Sequence, residues 1–418
     1  MKRSQPEHRY DVIIVGAGPA GLSTALHLTR LDPSFSERIL ILETATHPRE
    51  KLCGGGVTRL GEEALAALGL SLDVPSLPVR ELRSLADQFD TSLFGSPVFR
   101  VVERKTFDAW LAEVARARGI EIRENERVMS ARRRAGGVEL TTREGVYRAR
   151  IVVAADGAQS TVRRYLDRSR VSRNASVLLE TTLSAGDTKG LRGARFGGGL
   201  GPLRPGEARF DFRRMHQGLQ GYVWDFPALR GDSEAVSLGL FDSRIARKRN
   251  PFSPRPVLEQ ELPERIARGS RGPTSSQGVE GSVRGFPLGR YEPRRRNFSG
   301  HRVLYVGDAA GADPMLGEGI PFAFGYGEVA AEAIRDGLAR EDFSFLGVYD
   351  RVWHHRITGH LKWRRRAARL FYRLRRPWTI RLLWAVIPVV TRLLILFVPK
   401  YIPGRRNRLV VNREGEVR

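Results

Sequence analysis

The feature that most constrains this chain lies near its start. Asp11-Val-Ile-Ile-Val15 runs into Gly16-Ala17-Gly18-Pro19-Ala20-Gly21, a helical pattern follows, and a second apolar run, Ile39-Leu-Ile-Leu42, ends on Glu43. Short β-branched runs of this kind form buried parallel strands. A GxGxxG turn alone says little, but strand, glycine turn, helix, strand and terminal acid together make a complete dinucleotide-binding unit. In that unit Gly16 makes the tight turn and Gly18 lets a pyrophosphate approach the helix N-terminus. Gly21 lets the helix pack closely on the strand. Glu43 is placed to accept hydrogen bonds from a ribose, and its charge disfavours a 2′-phosphate. FAD and NAD remain, and NADP is disfavoured at this position.

Three downstream blocks select FAD. Arg104-Lys-Thr-Phe-Asp-Ala-Trp-Leu111 opens an amphipathic helix with Arg104 at its start and Phe107, Leu111 and Val114 on one face. An apolar strand, Ile151-Val-Val-Ala-Ala155, ends in Asp156-Gly157. A third strand ends in Gly307-Asp308, followed by a glycine-punctuated loop and a long apolar helix starting near Gly319-Ile320. Asp308 at a strand end suits a polyol such as ribitol. The helix after Gly317-Glu318-Gly319 points its positive end at whatever lies there, as the N1/O2 edge of a reduced flavin requires.

Two further stretches stand out. Lys51-Leu-Cys-Gly-Gly-Gly56 holds the only cysteine of the 418 residues. Three successive glycines cost backbone entropy and pack nothing, so the stretch reads as close backbone approach. Tyr222-Val-Trp-Asp-Phe-Pro227 alternates its aromatic residues, so Tyr222, Trp224 and Phe226 face one side of a strand.

The glycine and aspartate blocks, in this order, resemble the flavoprotein fold of para-hydroxybenzoate hydroxylase over roughly residues 10 to 340. The two further stretches narrow the resemblance. With Pro48 before it, the first is similar to the P-x-x-K-x-C-G-G-G segment of the geranylgeranyl reductase family, and the second to that family's Y-x-W-x-F-P motif. Ala228, where a lysine often stands, and the acidic Asp313 before Pro314 depart from the family pattern. The resemblance implies an α/β fold: a Rossmann-like FAD-binding domain, an inserted antiparallel-sheet substrate domain, and a C-terminal helical, membrane-associating tail. The expected division is 1–74, 104–171 and 291–340 for FAD, 75–103 and 172–290 for substrate, and 341–418 for the tail. Strand-like stretches SVLLETTL, ARFDFR, GYVWDF and AVSLGL populate the substrate segment.

The resemblance further implies saturation of isolated C=C bonds in a polyprenyl chain of a lipid, quinone or pigment. The cofactor-binding residues expected are Gly16, Gly18, Gly21, Glu43, Arg104, Asp156, Gly157, Gly307, Asp308, Gly317, Gly319 and Ile320. An isolated alkene accepts hydride only if its other carbon is protonated, so the site needs an apolar slot, a positioned acid and exclusion of water. Cys53, Tyr222 and Trp224 are the catalytic candidates. Lys51, Gly54, Gly55, Gly56, Phe226 and Pro227 are the substrate-binding ones. Cys53 is a proton donor, a flavin-side wall or an inert core thiol. Lys51 orients a head group or the flavin, or is a solvated surface lysine. The reductant is NAD(P)H or a ferredoxin, no metal is expected, and oligomeric state stays open. Two alternatives remain: a flavin monooxygenase acting on a hydrophobic substrate, and an FAD-binding membrane protein without turnover.

Charge adds a membrane expectation. The net charge of +24 is concentrated late, with 17 Lys and Arg and no acid from Arg351 to Arg413. The basic, aromatic-rich stretch through Trp378 has a composition that nucleic-acid binders also show. The apolar run 382–399 beside it favours a lipid partner. That run carries Arg392 and Pro388 inside it, which favours an in-plane amphipathic anchor on an anionic membrane over a span, with a buried C-terminal helix of the body as the further alternative. A lone cysteine and the lack of a secretory signal lead to the expectation of a cytoplasmic protein, peripheral at the membrane, that binds no nucleic acid.

Overall fold

The structure is a computed structural model and describes residues 10–87, 89–167, 175–184, 203–246, 253–259, 283–374, 378–379, 381–384 and 409–413. Two sheets organise them. The first has eight strands around a parallel centre. β1 (Tyr10–Val15) lies between β2 (Ile39–Leu42) and β9 (Val146–Ala154), with β6 (Glu121–Arg123) beyond β2 and β16 (Val303–Tyr305) beyond β9. β15 (Ser299–Gly300) closes the β16 edge. A meander of β7 (Ser130–Arg134) and β8 (Gly137–Thr141) leaves the first half of β9. Ile13, Ile14, Ile151, Val152 and Val153 are fully buried, as continuous apolar strands covered on both faces must be.

Helices cover this sheet. α1 (Pro19–Leu31) packs on α3 (Arg104–Ala117) and on α5 (Ile320–Arg340), and α2 (Arg59–Ala66) also meets α5. The approach of α1 and α5 is close enough that a Cβ at Gly327 would stand 2.4 Å from Ser23 Oγ. Ser23 instead donates to the Phe324 carbonyl at 3.0 Å. α4 (Thr161–Leu166) sits against β7.

The second sheet has nine strands and is antiparallel except for one pair. Its order is β14 (Arg284–Gly289), β10 (Ala175–Ser184), β13 (Ser233–Asp242), β12 (Gly221–Arg230), β11 (Glu207–Asp211), β4 (Ser76–Ala86), β5 (Phe89–Val102) and β17 (Leu409–Arg413), with β3 (Gly56–Thr58) also on β5. The parallel pair is β11 with β4. The four strand-like stretches read from sequence are β10 to β13, although the last residue of ARFDFR, Arg213, already opens a 3-10 segment, Arg213–Gln217. Two short strands come from outside the segments expected to build this sheet. Gly56–Thr58 lies in the first nucleotide-binding segment and Leu409–Arg413 in the expected helical tail.

The C-terminal region is anchored to the body before it reaches the apolar run. α6 (Val348–His354) and α7 (His360–Phe371) follow α5. From α7, Arg364 reaches Asp313 at 2.9 Å and Glu318 at 2.7 Å, and Arg365 reaches Glu292 at 2.6 Å. The Tyr372 hydroxyl donates to the Met315 carbonyl. Part of the late basic charge is therefore neutralised internally. No helix among the described residues is long and apolar enough to cross a membrane, and most of the 382–399 run lies outside them.

Candidate functional site

The glycine turn is built as its sequence requires. Gly16 adopts φ +105°, and a Cβ there would stand 2.5 Å from the Ala155 carbonyl of the neighbouring strand. A Cβ on Gly21 would stand 2.0 Å from the Gly16 carbonyl. Gly18 is the N-cap of α1, with no side chain capping it and no acid in the first turn. The N-terminal N–H groups of α1 therefore keep their capacity for an anion. α5 begins the same way, at Gly319, again without a side-chain cap or a first-turn acid.

Both helix ends open on one cavity of about 540 Å³, a size typical of a small-molecule site. Gly16, Gly18, Glu43, Arg104, Asp156, Gly157, Gly307, Asp308, Gly317, Gly319 and Ile320 all line it, and so do Lys51 and Cys53. Gly21 does not line it and serves the packing beneath. Glu43 Oε2 accepts the Ala17 N–H at 2.7 Å and Oε1 the Ala45 N–H at 3.1 Å, which fixes the carboxylate at the cavity edge. Asp156 Oδ2 accepts from the Val162 N–H at 3.1 Å, while Oδ1 is buried without a partner. Burial pushes both Asp156 and Asp308 up from the ordinary carboxylate range, Asp308 against the pull of Lys51 and Arg104. A polyol hydroxyl is the kind of group that satisfies such oxygens.

Arg104 is buried and forms a two-pronged pair with Asp108, 2.9 Å on each arm. Burial acts to lower its pKa, but Asp108 and the Cys53 thiol outweigh it and hold it above the ordinary value. Arg49, which sequence reasoning missed, lies beside it. Its Nη1 is 3.2 Å from Asp108 and its Nε 3.5 Å from Glu43, and that Nε has no hydrogen-bond partner. Its other terminal nitrogen lies 3.5 Å from where a Gly18 Cβ would stand. A half-buried guanidinium whose terminal nitrogen reaches the glycine turn suits a diphosphate. No local motif marks Arg49, because its neighbours come from three separated elements.

The opposite wall is apolar: Leu178 of β10 with Phe286 and Leu288 of β14. Lys51 Nζ lies 3.5 Å over the Phe286 ring. Burial lowers its pKa and nearby Arg104 adds to this, with Asp308 opposing. This lysine is not a solvated surface residue.

The KLCGGG and YVWDFP stretches meet here. A Cβ on Gly54 would stand 3.1 Å from Phe226 Cδ2 and 3.7 Å from Trp224 Nε1. Gly55 adopts φ +70°, and a Cβ there would stand 2.1 Å from the Val102 carbonyl. The Gly55 N–H donates to Cys53 Sγ at 3.4 Å, and Gly56 enters β3 beside β5. From Phe226 a row of rings continues through Trp224 at 6.3 Å, Tyr222 at 6.3 Å and Phe212 at 5.5 Å to Trp384 at 5.2 Å. Pro227, next along β12, is half-buried opposite Val236.

The Tyr222 hydroxyl donates to the Leu316 carbonyl at 2.5 Å. Burial, with Asp313, Glu318 and Cys53 nearby, pushes its pKa far up and keeps the phenol neutral. Asp313, the acid that departs from the family pattern, caps the Met315 and Leu316 N–H groups at 2.9 and 3.0 Å and pairs with Arg364. It shapes the loop that ends at Gly319. Trp224 Nε1 donates to Ser237 Oγ at 3.1 Å, and that hydroxyl donates to Glu180 Oε1 at 2.8 Å. Glu180 also escaped sequence reasoning; its signal was an acid on the face of β10 shared with apolar Leu178.

Fit to FAD follows from these residues. Two uncapped helix N-termini, a spare arginine N–H, a fixed Glu43 carboxylate and an orphaned aspartate oxygen converge on one cavity. The FAD binding domain family matches residues 9–191. Digeranylgeranylglycerophospholipid reductase 1 of Methanopyrus kandleri is 29% identical over 385 residues, covering 86% of this chain and 90% of that protein. The digeranylgeranylglycerophospholipid reductase of Methanococcus vannielii is 25% identical over 357 residues, covering 83% of each. The crystal structure of a geranylgeranyl bacteriochlorophyll reductase-like protein from Thermoplasma acidophilum shares the fold. Its TM-score is 0.71 at 19% identity, over 94% of this chain and 97% of that one.

Proposed function

We propose that this chain, a relative of the geranylgeranyl reductase family of FAD-dependent oxidoreductases, saturates isolated C=C bonds in the polyprenyl chains of a lipid. The observation that carries the reading is the contact of Gly54 with Trp224 and Phe226 beside the cavity. It joins a flavin-side glycine run to an aromatic row long enough to line an extended apolar chain. Bound FAD, once reduced, would supply hydride for one alkene carbon, and the chain's own residues do the rest. Arg49, Glu43 and the α1 N-terminus hold the dinucleotide end. Asp156 and Asp308 would hold the ribityl chain, and the α5 N-terminus would stabilise negative charge on the flavin. Leu178, Phe286 and Leu288 keep water from the reacting face.

In this reading the second sheet is the inserted substrate domain. The protein docks on the cytoplasmic face of an anionic membrane, where a prenyl lipid resides, and NAD(P)H or a ferredoxin delivers the electrons. Supporting the docking is the outer face of α7, where Trp363, Arg366 and Leu370 are exposed, with Arg373, Trp378 and Leu382 exposed beyond it. Aromatic, aliphatic and arginine side chains on one face are the composition of an interfacial helix. Lipid mass spectrometry of cells with and without the protein tests the function. Prenyl lipids two mass units heavier per saturated bond, present only with the protein, are expected; unchanged lipids contradict it.

A further inference from the structure

The reductase reading requires an acid that protonates the alkene carbon not taking hydride, and three proton-bearing side chains near the cavity are poorly placed for it. The Tyr222 proton is committed to the Leu316 carbonyl. Lys51 is held over the Phe286 ring. The Cys53 thiol accepts from the Gly55 N–H and neighbours the Arg104 guanidinium.

We propose that Glu180 is the group that donates this proton. It sits on β10 two residues from Leu178, so the two side chains share a face about 7 Å apart along the strand, and Leu178 lines the cavity. The carboxyl is 5% exposed and forms no ion pair among the described residues. Oε1 accepts from Ser237, while Oε2 is buried with no partner. The groups facing it are the Cys53 backbone N–H from the KLCGGG loop, Arg104 from α3, and Ser237 from β13. Arg284, its register partner on β14, is exposed. Gly239, between Glu180 and Trp224 in the sheet register, leaves the space the arrangement needs: a Cβ there would stand 2.0 Å from Trp224 Cζ2. The indole therefore lies across β13 and reaches Ser237.

Desolvation lifts the Glu180 carboxyl to about 6, against the opposing pull of Ser237, the Cys53 N–H and Arg104. An apolar chain entering the site removes further water and favours the neutral acid more. A carboxyl tuned toward neutrality is what proton donation at physiological pH needs. The step balances. The hydride brings two electrons and forms one C–H bond, the alkene π pair takes the Glu180 proton to form the other, and the carboxylate is reprotonated from solvent before the next cycle. A second site residue follows: Ser237 positions Glu180 and lowers its pKa.

This role rests on the reductase reading, and one set of measurements separates the two. FAD-loaded wild type, Glu180→Gln and Ser237→Ala are reduced anaerobically and mixed with a geranylgeranylated glycerophospholipid, and flavin reoxidation is followed from about pH 5 to 9. The wild-type rate is expected to fall as pH rises above about 6. Glu180→Gln, which keeps the acceptor for Ser237, should lose about 10²-fold or more in rate and lack this limb while keeping its FAD. Ser237→Ala should move the limb to higher pH. Infrared difference spectra, with and without FAD, should show a protonated carboxyl band that titrates near pH 6 and vanishes in Glu180→Gln. A Glu180→Gln protein reoxidised at the wild-type rate with the wild-type pH profile overturns the role alone. A wild type that the lipid does not reoxidise overturns the reductase reading and the role with it.

Discussion

Gly54 packs directly on the Phe226 ring, at a separation that leaves a Cβ only 3.1 Å from Cδ2. The two residues belong to the two stretches that resemble motifs of the geranylgeranyl reductase family, and their contact joins the KLCGGG loop to β12. A β-branched side chain at 54 must displace Phe226 or the loop. Gly54→Val is expected to slow flavin reoxidation by lipid by about 10²-fold, the scale of a roughly 1 Å misplacement at a reacting centre. FAD affinity should stay within about threefold, because the dinucleotide end is built elsewhere. Stopped-flow reoxidation and FAD titration check this pair of outcomes.

Gly239 makes a sharper structural prediction. Any Cβ there collides with the Trp224 ring, which is itself tied to Ser237. Gly239→Ala should destabilise the fold by about 1–3 kcal/mol, the range for an overpacked core. It should also shift the tryptophan fluorescence, since the indole must leave its pocket. Denaturant melts at matched conditions measure the first, and an unshifted midpoint contradicts it.

Arg364 links the basic helix to the site loop through Asp313, which is fully buried, and Glu318. Removing the guanidinium leaves Asp313 as a buried charge with only its two backbone donors. Arg364→Met should cost about 3 kcal/mol and weaken FAD binding more than lipid-independent flavin reduction. For the same reason the late basic segment cannot be deleted without disturbing the cofactor site, so membrane docking is better tested on its surface. Trp363→Glu with Leu370→Glu, residues 59% and 67% exposed, should lose at least tenfold in binding to anionic vesicles while retaining FAD. Unaltered vesicle binding would remove that face from the account.

His27 sets an acid limit on stability. Burial, with Arg30, Arg356 and His355 adding to it, lowers its pKa to about 4, and Glu328 only partly offsets this. The unfolded chain takes up a proton at this residue near pH 6.5, whereas the native state does so only near 4. The native state thus binds fewer protons across that window, and stability falls as pH drops from about 6.5 to 4, by up to about 3 kcal/mol. His27→Leu should flatten that part of the stability profile, read from melting temperature against pH.

What the sequence disclosed and what it withheld have physical reasons. Gly16, Gly18, Glu43, Asp156 and Asp308 were legible because strand ends and glycine turns place them locally, each within a few residues of its own signal. Cys53 and Tyr222 were legible as motifs, but their hydrogen-bond commitments were not, since Leu316 and Gly55 take part through backbone atoms that carry no sequence mark. Arg49 and Glu180 were missed because their partners, Asp108 for one and Ser237 for the other, arrive from distant segments. The basic helix carries a composition that favours a membrane over nucleic acid or a place in the body. Arg364 and Arg365, two of the five basic residues of α7, answer the acids Asp313, Glu318 and Glu292, a pairing that only the docked helix makes visible.

The central claim is reduction of a prenyl double bond, and one anaerobic single turnover tests it most directly. Protein carrying one equivalent of reduced FAD is mixed with a geranylgeranylated glycerophospholipid, and the lipid is analysed by mass spectrometry with and without subsequent air. The account predicts stoichiometric flavin reoxidation without oxygen and a lipid heavier by two hydrogens. Flavin that stays reduced until air is admitted, with oxygen then appearing in the lipid, would contradict it.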